Sequence, residues 1–212
     1  MRASLLLTFP LRPAAWLVAA LSSVVFAACG DGTGPAAGSL RAAVYGTQPG
    51  TGGTEPSPVR FASWAPPLET YDASFTLVQG TASADTIFFQ KRPGATEREP
   101  FMVLAIPATA SFVDAAGVPL AKGSTVRLTV KVDREFVRLD FGPHGSRFVK
   151  KPALLYIWWQ NTDLQKRRPG DLHLWYQAEA GATWSALETD VSAASTWLVA
   201  PLFHFSNYAV AY

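Results

Sequence analysis

The chain has 212 residues, of which 49% are hydrophobic and 16% are charged, a composition typical of one globular domain with appendages. Two of its 18 basic residues, Arg2 and Arg12, lie in a leader segment, and the 16 that remain balance 16 acidic ones. Nothing in this charge balance argues for nucleic-acid binding, which requires a clustered basic face, so we expect no nucleic-acid partner. Its 13 Phe, 7 Trp and 6 Tyr favour β-structure.

The first 28 residues have the pattern of an export signal. Two arginines and no acidic residue precede the uncharged run 14–28, which is shorter than the roughly 20 residues of a membrane-spanning helix. The run ends in Phe26-Ala27-Ala28-Cys29, which resembles the lipobox of bacterial lipoproteins, whose cysteine is acylated. Cys29 is the only cysteine of the chain. We therefore predict a lipoprotein signal peptide over residues 1–28 and a lipid anchor on Cys29; the alternative is an ordinary cleavage site beside a bystander cysteine.

Residues 29–59 are predicted to form a flexible, disordered tether. Half of the 16 glycines lie between Gly30 and Gly53, among Pro and Thr residues, and such a composition cannot offset its conformational entropy by burial. A flexible coil of this length extends on the order of 30 Å. The resulting location is the bacterial cell envelope, with the domain held at the membrane through Cys29, either in the periplasm or at the cell surface.

Residues 60–212 show one short strand pattern after another. The clearest is Thr125–Asp133, in which Val126, Leu128, Val130 and Val132 alternate with polar residues. Further strands are predicted at 74–79, 86–90, 101–106, 136–141, 153–159, 172–177, 183–187, 196–200 and 204–212. No segment carries a sustained helical stripe. We predict an all-β fold, an antiparallel β-sandwich over residues 60–212.

Three motifs carry a resemblance to a known module. The segment Phe141–Leu155 resembles the F-x-P-x-G-x-x-F-x-x-P-V-x-L pattern of the ZU domain, a β-sandwich shared by ankyrins, netrin receptors and zonula occludens proteins. Ile106–Ala110 resembles its I-P-x-G-A element, with Thr109 in place of the glycine, and His204–Tyr208 resembles the H-F-S-x-Y ending of bacterial ZU-like lipoproteins. The likeness covers about residues 70–212 and implies a protein-binding or scaffolding module.

The middle motif also has a direct physical interpretation. Gly142-Pro143-His144-Gly145 fits a type I turn with proline at the second position. The turn would reverse the chain after Phe141, expose His144 at its tip and return Phe148 to the core. A strand is expected to begin at Pro152.

Few residues in the sequence suggest catalytic chemistry. The three histidines, His144, His173 and His204, show no metal-ligand spacing and there is no cysteine pair, so we predict no metal site. Lys122-Gly123-Ser124-Thr125 is not a phosphate loop because its lysine precedes the glycine and a strand follows it. There is no G-x-S-x-G motif for a hydrolase. We therefore expect a non-enzymatic protein without a cofactor.

Trp158 and Trp159 are candidates for ligand binding. Consecutive strand residues point to opposite faces, so only one of the two can enter a given core. With Trp175, Tyr176 and Trp197 in neighbouring predicted strands, an aromatic platform for a sugar or a protein partner is conceivable. The alternative is packing under covering loops.

The closing motif raises a second possibility. The resemblance implies self-cleavage, because related ZU domains of animal proteins cut their own chain between the Phe and Ser of an H-F-S sequence. Ser206 would then attack the carbonyl of Phe205 with His204 as the base, an N-to-O acyl shift. On a strand, His204 and Ser206 would share a face. The alternative is a structural strand with Phe205 and Tyr208 in the core.

The sequence therefore predicts a membrane-anchored lipoprotein with a non-enzymatic binding or scaffolding domain for an unknown protein or glycan. The two alternatives are a domain that cleaves itself at Phe205–Ser206 and a carbohydrate-binding module that uses Trp158 or Trp159.

Overall fold

The computed structural model describes residues 56–164 and 167–212. These residues fold into two antiparallel sheets packed as a sandwich, which confirms the predicted fold class. The predicted signal peptide, Cys29 and the tether up to residue 55 lie outside the described residues. Within the described ranges, no helix is long and apolar enough to cross a membrane.

Most of the described residues belong to short strands. In chain order these are β1 (Arg60–Phe61), β2 (Asp72–Val78), β3 (Ser83–Phe88), β4 (Pro100–Ile106), β5 (Phe112–Val113), β6 (Thr125–Val132), β7 (Arg138–Gly142), β8 (Arg147–Phe148), β9 (Ala153–Trp158), β10 (Thr162–Asp163), β11 (His173–Gln177), β12 (Ser185–Ala186), β13 (Asp190–Ser192), β14 (Trp197–Leu202) and β15 (Asn207–Ala211). A short 3₁₀ helix covers Pro169–Asp171.

The strands form two main sheets. One has six strands in the order β12-β11-β15-β7-β6-β2, and the other has five in the order β13-β14-β9-β4-β3. The pairs β1-β10 and β5-β8 form small additional ladders. Every ladder is antiparallel, so each strand can bury one face and leave the other outside.

Period-two alternation determines which side chains form the core. In β6, Leu128, Val130 and Val132 are buried while Arg127 and Lys131 are exposed, as predicted. The five-stranded sheet contributes inward residues of the same kind, namely Leu104, Leu155, Ile157, Leu198 and Ala200. The two inward faces meet in one continuous apolar cluster.

The sandwich begins slightly before the predicted boundary at residue 60. Val59 is 2% exposed, and its amide donates to the carbonyl of Val210 at 2.8 Å. Pro58 forms an isolated bridge with Ala211. The last residues of the predicted tether are therefore part of the domain, because Val59 extends the apolar pattern into the core.

The predicted type I turn at 142–145 is wrong in position by one residue and in turn type. The amide of Ser146 donates to the carbonyl of Pro143, so the turn covers 143–146. Gly145 has a φ of +80° and lies at the third turn position, where a type II turn requires a left-handed residue. A Cβ at Gly145 would also lie 3.2 Å from Cβ of Ala115. The expected exposure of His144, the burial of Phe148 and the strand after Pro152 are confirmed.

Candidate functional site

The closing motif lies against the middle motif, although about 60 residues separate them in the sequence. The amide of Phe205 donates to the carbonyl of Ser146 at 2.9 Å, and the amide of Phe148 donates to the carbonyl of Phe203 at 2.7 Å. His204 forms an isolated bridge with Arg147. Two of the motifs that carry the sequence resemblance are thus brought together by the fold.

The prediction of one strand over 204–212 is wrong at its beginning. The preceding strand, β14, ends at Leu202, the chain bends at Phe205 and Ser206, and β15 begins only at Asn207. The bend arises because the chain passes from the five-stranded sheet to the six-stranded sheet at this point. The strand geometry that would place His204 and Ser206 on one face is absent.

Phe205 is the centre of an aromatic cluster in the core. It is 1% exposed, and its ring centroid lies 5.6 Å from that of Phe112, 6.3 Å from that of Phe141 and 5.5 Å from that of Phe148. Two of these contacts are edge-to-face, the arrangement that aromatic quadrupoles favour. Phe205 therefore has a strong structural role.

The Ser206 hydroxyl is bonded to β11 and makes no hydrogen bond with His204. It is buried and donates to the backbone carbonyls of Gln177 and Ala178 at the end of β11. Both acceptors are neutral carbonyl oxygens, which do not remove a proton at ordinary pH. The hydroxyl therefore fastens the bend to β11, and its proton is not held by a catalytic base.

His204 is partly buried beside the aromatic ring of Tyr176. The two rings stack with centroids 5.6 Å apart. Burial and then the positive charge of Arg147 lower the pKa of the His204 imidazole below its usual value of 6.5. The imidazole is thus neutral at pH 7, which is the state a general base needs, but it has no hydrogen bond to Ser206.

The carbonyl of Phe205 is the group that Ser206 would attack in a self-cleavage reaction. It accepts one backbone hydrogen bond, from the amide of Gly145 at 3.3 Å. An acyl shift also needs a base that receives the serine proton and donors that stabilise the oxyanion. Of these requirements, the folded chain supplies one long hydrogen bond to the carbonyl and a neutral histidine nearby.

Tyr208 stabilises the same bend from inside. Its ring is 1% exposed, and its hydroxyl donates to the carbonyl of His204 at 2.6 Å. Burial raises the pKa of the Tyr208 phenol far above its usual range, so the hydroxyl always carries the proton that it donates. A buried tyrosine that bonds the backbone a few residues upstream also fixes the corner of immunoglobulin-like sandwiches.

Trp158 and Trp159 point in different directions, as predicted. Trp158 is the last residue of β9, lies opposite Trp197 of β14 and stands on the outer face of the five-stranded sheet. Trp159 follows the strand and packs against the core, and the N–H of its indole is buried. Of the two candidates for binding, only Trp158 is therefore on an open face.

Trp158 belongs to a larger apolar surface, which we call the aromatic face. It consists of the outward residues of the three central strands of the five-stranded sheet, namely Val103, Ala105, Leu154, Tyr156, Trp158, Trp197, Val199 and Pro201. Tyr156 connects its rings, 6.4 Å from Trp158 and 5.8 Å from Trp197. All eight residues are partly exposed.

The sequence contains a signal for the aromatic face that composition alone does not show. The β9 sequence Ala-Leu-Leu-Tyr-Ile-Trp places apolar residues on both faces of the strand. A strand with one solvent-facing side instead alternates apolar and polar residues. The β14 sequence Trp-Leu-Val-Ala-Pro-Leu is apolar on both faces in the same way. The cross-strand register that joins Tyr156 to Val199 and Val103 cannot be read from either strand separately.

No family model, curated protein or solved structure matches the chain. The ZU-like likeness therefore rests on the three sequence motifs. Among the described residues, no group of three or more His, Cys, Asp and Glu side chains is close enough to hold a metal ion.

Proposed function

We propose that the protein is a lipid-anchored, non-enzymatic binding module of the bacterial cell envelope, and that it captures a protein partner on the aromatic face. The sequence pattern of the residues before Pro58 supports the anchor and the tether. The binding role rests on the aromatic face. The partner is a protein that presents an apolar surface of its own.

The distribution of charge on the aromatic face supports this proposal. Its central strands β4, β9 and β14 carry no charged side chain in an outward position, whereas the edge strand β13 carries the exposed Asp190 opposite Val199. A centre without charges, rich in Trp and Tyr and bordered on one side by a charged residue, is typical of protein–protein interfaces. An ordinary solvent-facing sheet would place polar residues there.

Site-specific photo-crosslinking in cells tests this proposal. A photo-reactive amino acid at Val199, in the middle of the aromatic face, is expected to give a defined adduct with one envelope protein. The same probe at Thr76, an exposed position on the outside of β2, serves as the matched control and is expected to give none. Equal labelling from both positions would refute the proposal.

Two further measurements separate the alternatives. Tyr156→Ser in the same experiment is expected to abolish the adduct, because it removes the ring between Trp158 and Trp197. An adduct with a second copy of the chain would instead make the aromatic face a dimer interface. Cys29→Ala is expected to abolish acyl labelling, and unchanged labelling would refute the lipid anchor.

A further inference from the structure

The outer face of the six-stranded sheet, on the other side of the sandwich from the aromatic face, carries a cleft. Its volume is about 370 Å³, and its lining includes Lys131, Asp140, Gln177, Trp184 and Asn207. Small-molecule sites in proteins have volumes of roughly 300–1,000 Å³ with a few convergent polar groups. We call this feature the polar cleft.

Strand register aligns the polar groups of the cleft. Lys131 of β6 pairs with Asp140 of β7, and Asp140 pairs with Asn207 of β15. Asn207 pairs in turn with Gln177 of β11. Directly paired residues point to the same face of a sheet, so four polar side chains form one row across four neighbouring strands.

A loop with an aromatic residue closes one end of this row. Residues 178–184 connect β11 to β12, and the side-chain amide of Gln177 donates to the carbonyl of Ala182 in this loop at 2.8 Å. Trp184, at the end of the loop, lines the cleft with Asn207 and Gln177. The row of polar groups therefore ends beside an indole.

The polar side chains of the cleft are positioned by a few hydrogen bonds, and several of their donor and acceptor atoms have no partner among the described residues. Asn207 donates from Nδ2 to Oε1 of Gln177 at 3.5 Å, and its Oδ1 accepts no hydrogen bond from the described residues. Oδ1 of Asp140 lies 2.6 Å from Nε2 of His144, and the second carboxylate oxygen accepts no hydrogen bond from the residues that the structure describes. Within the part of the chain that the structure describes, Lys131 forms no ion pair within 4 Å.

We propose that the polar cleft binds a neutral saccharide. Sugar hydroxyls donate and accept hydrogen bonds at once, and the row offers donors on Lys131 beside acceptors on Asp140 and Asn207. Trp184 supplies the apolar ring surface against which the C–H face of a pyranose packs. The charged residues of the lining are two basic ones, Lys131 and Arg138, and two acidic ones, Asp133 and Asp140. Because these charges balance, a neutral ligand fits better than a polyanion.

Titration calorimetry with the full chain in detergent tests this inference. The probes are oligosaccharides of glucose, mannose, galactose and N-acetylglucosamine, with oligogalacturonate as the anionic comparison. At least one neutral series is expected to bind. Trp184→Ala and Asn207→Ala are each expected to weaken that binding about tenfold or more, whereas Trp158→Ala on the opposite sheet leaves it unchanged.

Lys131→Met is a variant that should leave the fold intact, because Lys131 is exposed. It is expected to weaken saccharide binding at least about threefold without a change in melting temperature. The proposal is overturned if no neutral oligosaccharide binds, if only oligogalacturonate binds, or if binding depends on Trp158 and not on Trp184. None of these outcomes bears on the aromatic face, since the crosslink at Val199 is measured separately.

Discussion

Replacing Phe205 with alanine should reveal how much stability the closing motif contributes. Truncating a buried Phe to Ala costs about 3–5 kcal/mol. Phe205 is 1% exposed and contacts the rings of Phe112, Phe141 and Phe148, and aromatic pairs contribute about 0.5–1.5 kcal/mol each beyond area burial. We therefore expect the upper part of the range, about 4–5 kcal/mol.

Such a loss is large against the total stability of a domain, about 5–15 kcal/mol. For a domain of this size the melting temperature should fall by about 8–20 °C. Urea unfolding followed by tryptophan fluorescence measures the difference. The matched control is Phe205→Leu, which keeps most of the volume and should cost less than half as much. A loss below about 1 kcal/mol for the alanine variant, or equal losses for both, would refute the central position of Phe205.

Three further predictions concern the same bend. Tyr208→Phe should lose about 1–3 kcal/mol in urea unfolding without a cavity, because the His204 carbonyl loses its donor; a change too small to measure would contradict this. Folding lowers the pKa of the His204 imidazole from its usual value of 6.5, so near that pH the unfolded state binds more protons than the folded state. The free energy of unfolding should therefore decrease as the pH is lowered from 8 to 5. Melting curves over this range should show a smaller decrease for His204→Gln, and parallel curves would contradict the assignment. Because the Ser206 hydroxyl is bonded to the Gln177 and Ala178 carbonyls, denaturing mass spectrometry should show one species that retains Ser206–Tyr212; a chain that lacks these residues would show that self-cleavage occurs.

The local pattern of apolar and polar residues was sufficient to predict the fold class and the long strands. The alternation in β6 predicts which residues are buried because the strand has one core-facing side. The two-residue strands β1, β5, β8 and β10 were not predicted, since they exist only through pairing with distant segments. The turn after Phe141 was placed one residue early because several positions in Gly-Pro-His-Gly can begin a turn. The sequence does not show that Gly145 is the left-handed residue, nor that Ala115 lies so close to it that a Cβ would be crowded.

The candidate sites were harder to predict. His204 and Ser206 were expected on one face of a strand, but the chain changes sheets between β14 and β15, a feature of topology that two neighbouring residues cannot show. Trp158 was correctly expected to differ from Trp159 in orientation. Tyr156 and Trp184 were missed as binding candidates, because the surfaces to which they belong depend on cross-strand register.

The position of β15 has a consequence for the order in which the domain can form. β15 lies between β11 and β7, so the six-stranded sheet remains in two separate pieces until Asn207–Ala211 has been synthesised. Each piece then exposes an unpaired strand edge, which is a template for aggregation. Cooperative folding therefore has to wait for nearly the whole of 56–212, and a ribosome that pauses before Asn207 holds a chain without a native sandwich. The export signal that we propose for residues 1–28 is compatible with this order, because a chain that is still unfolded can be threaded through a secretion channel.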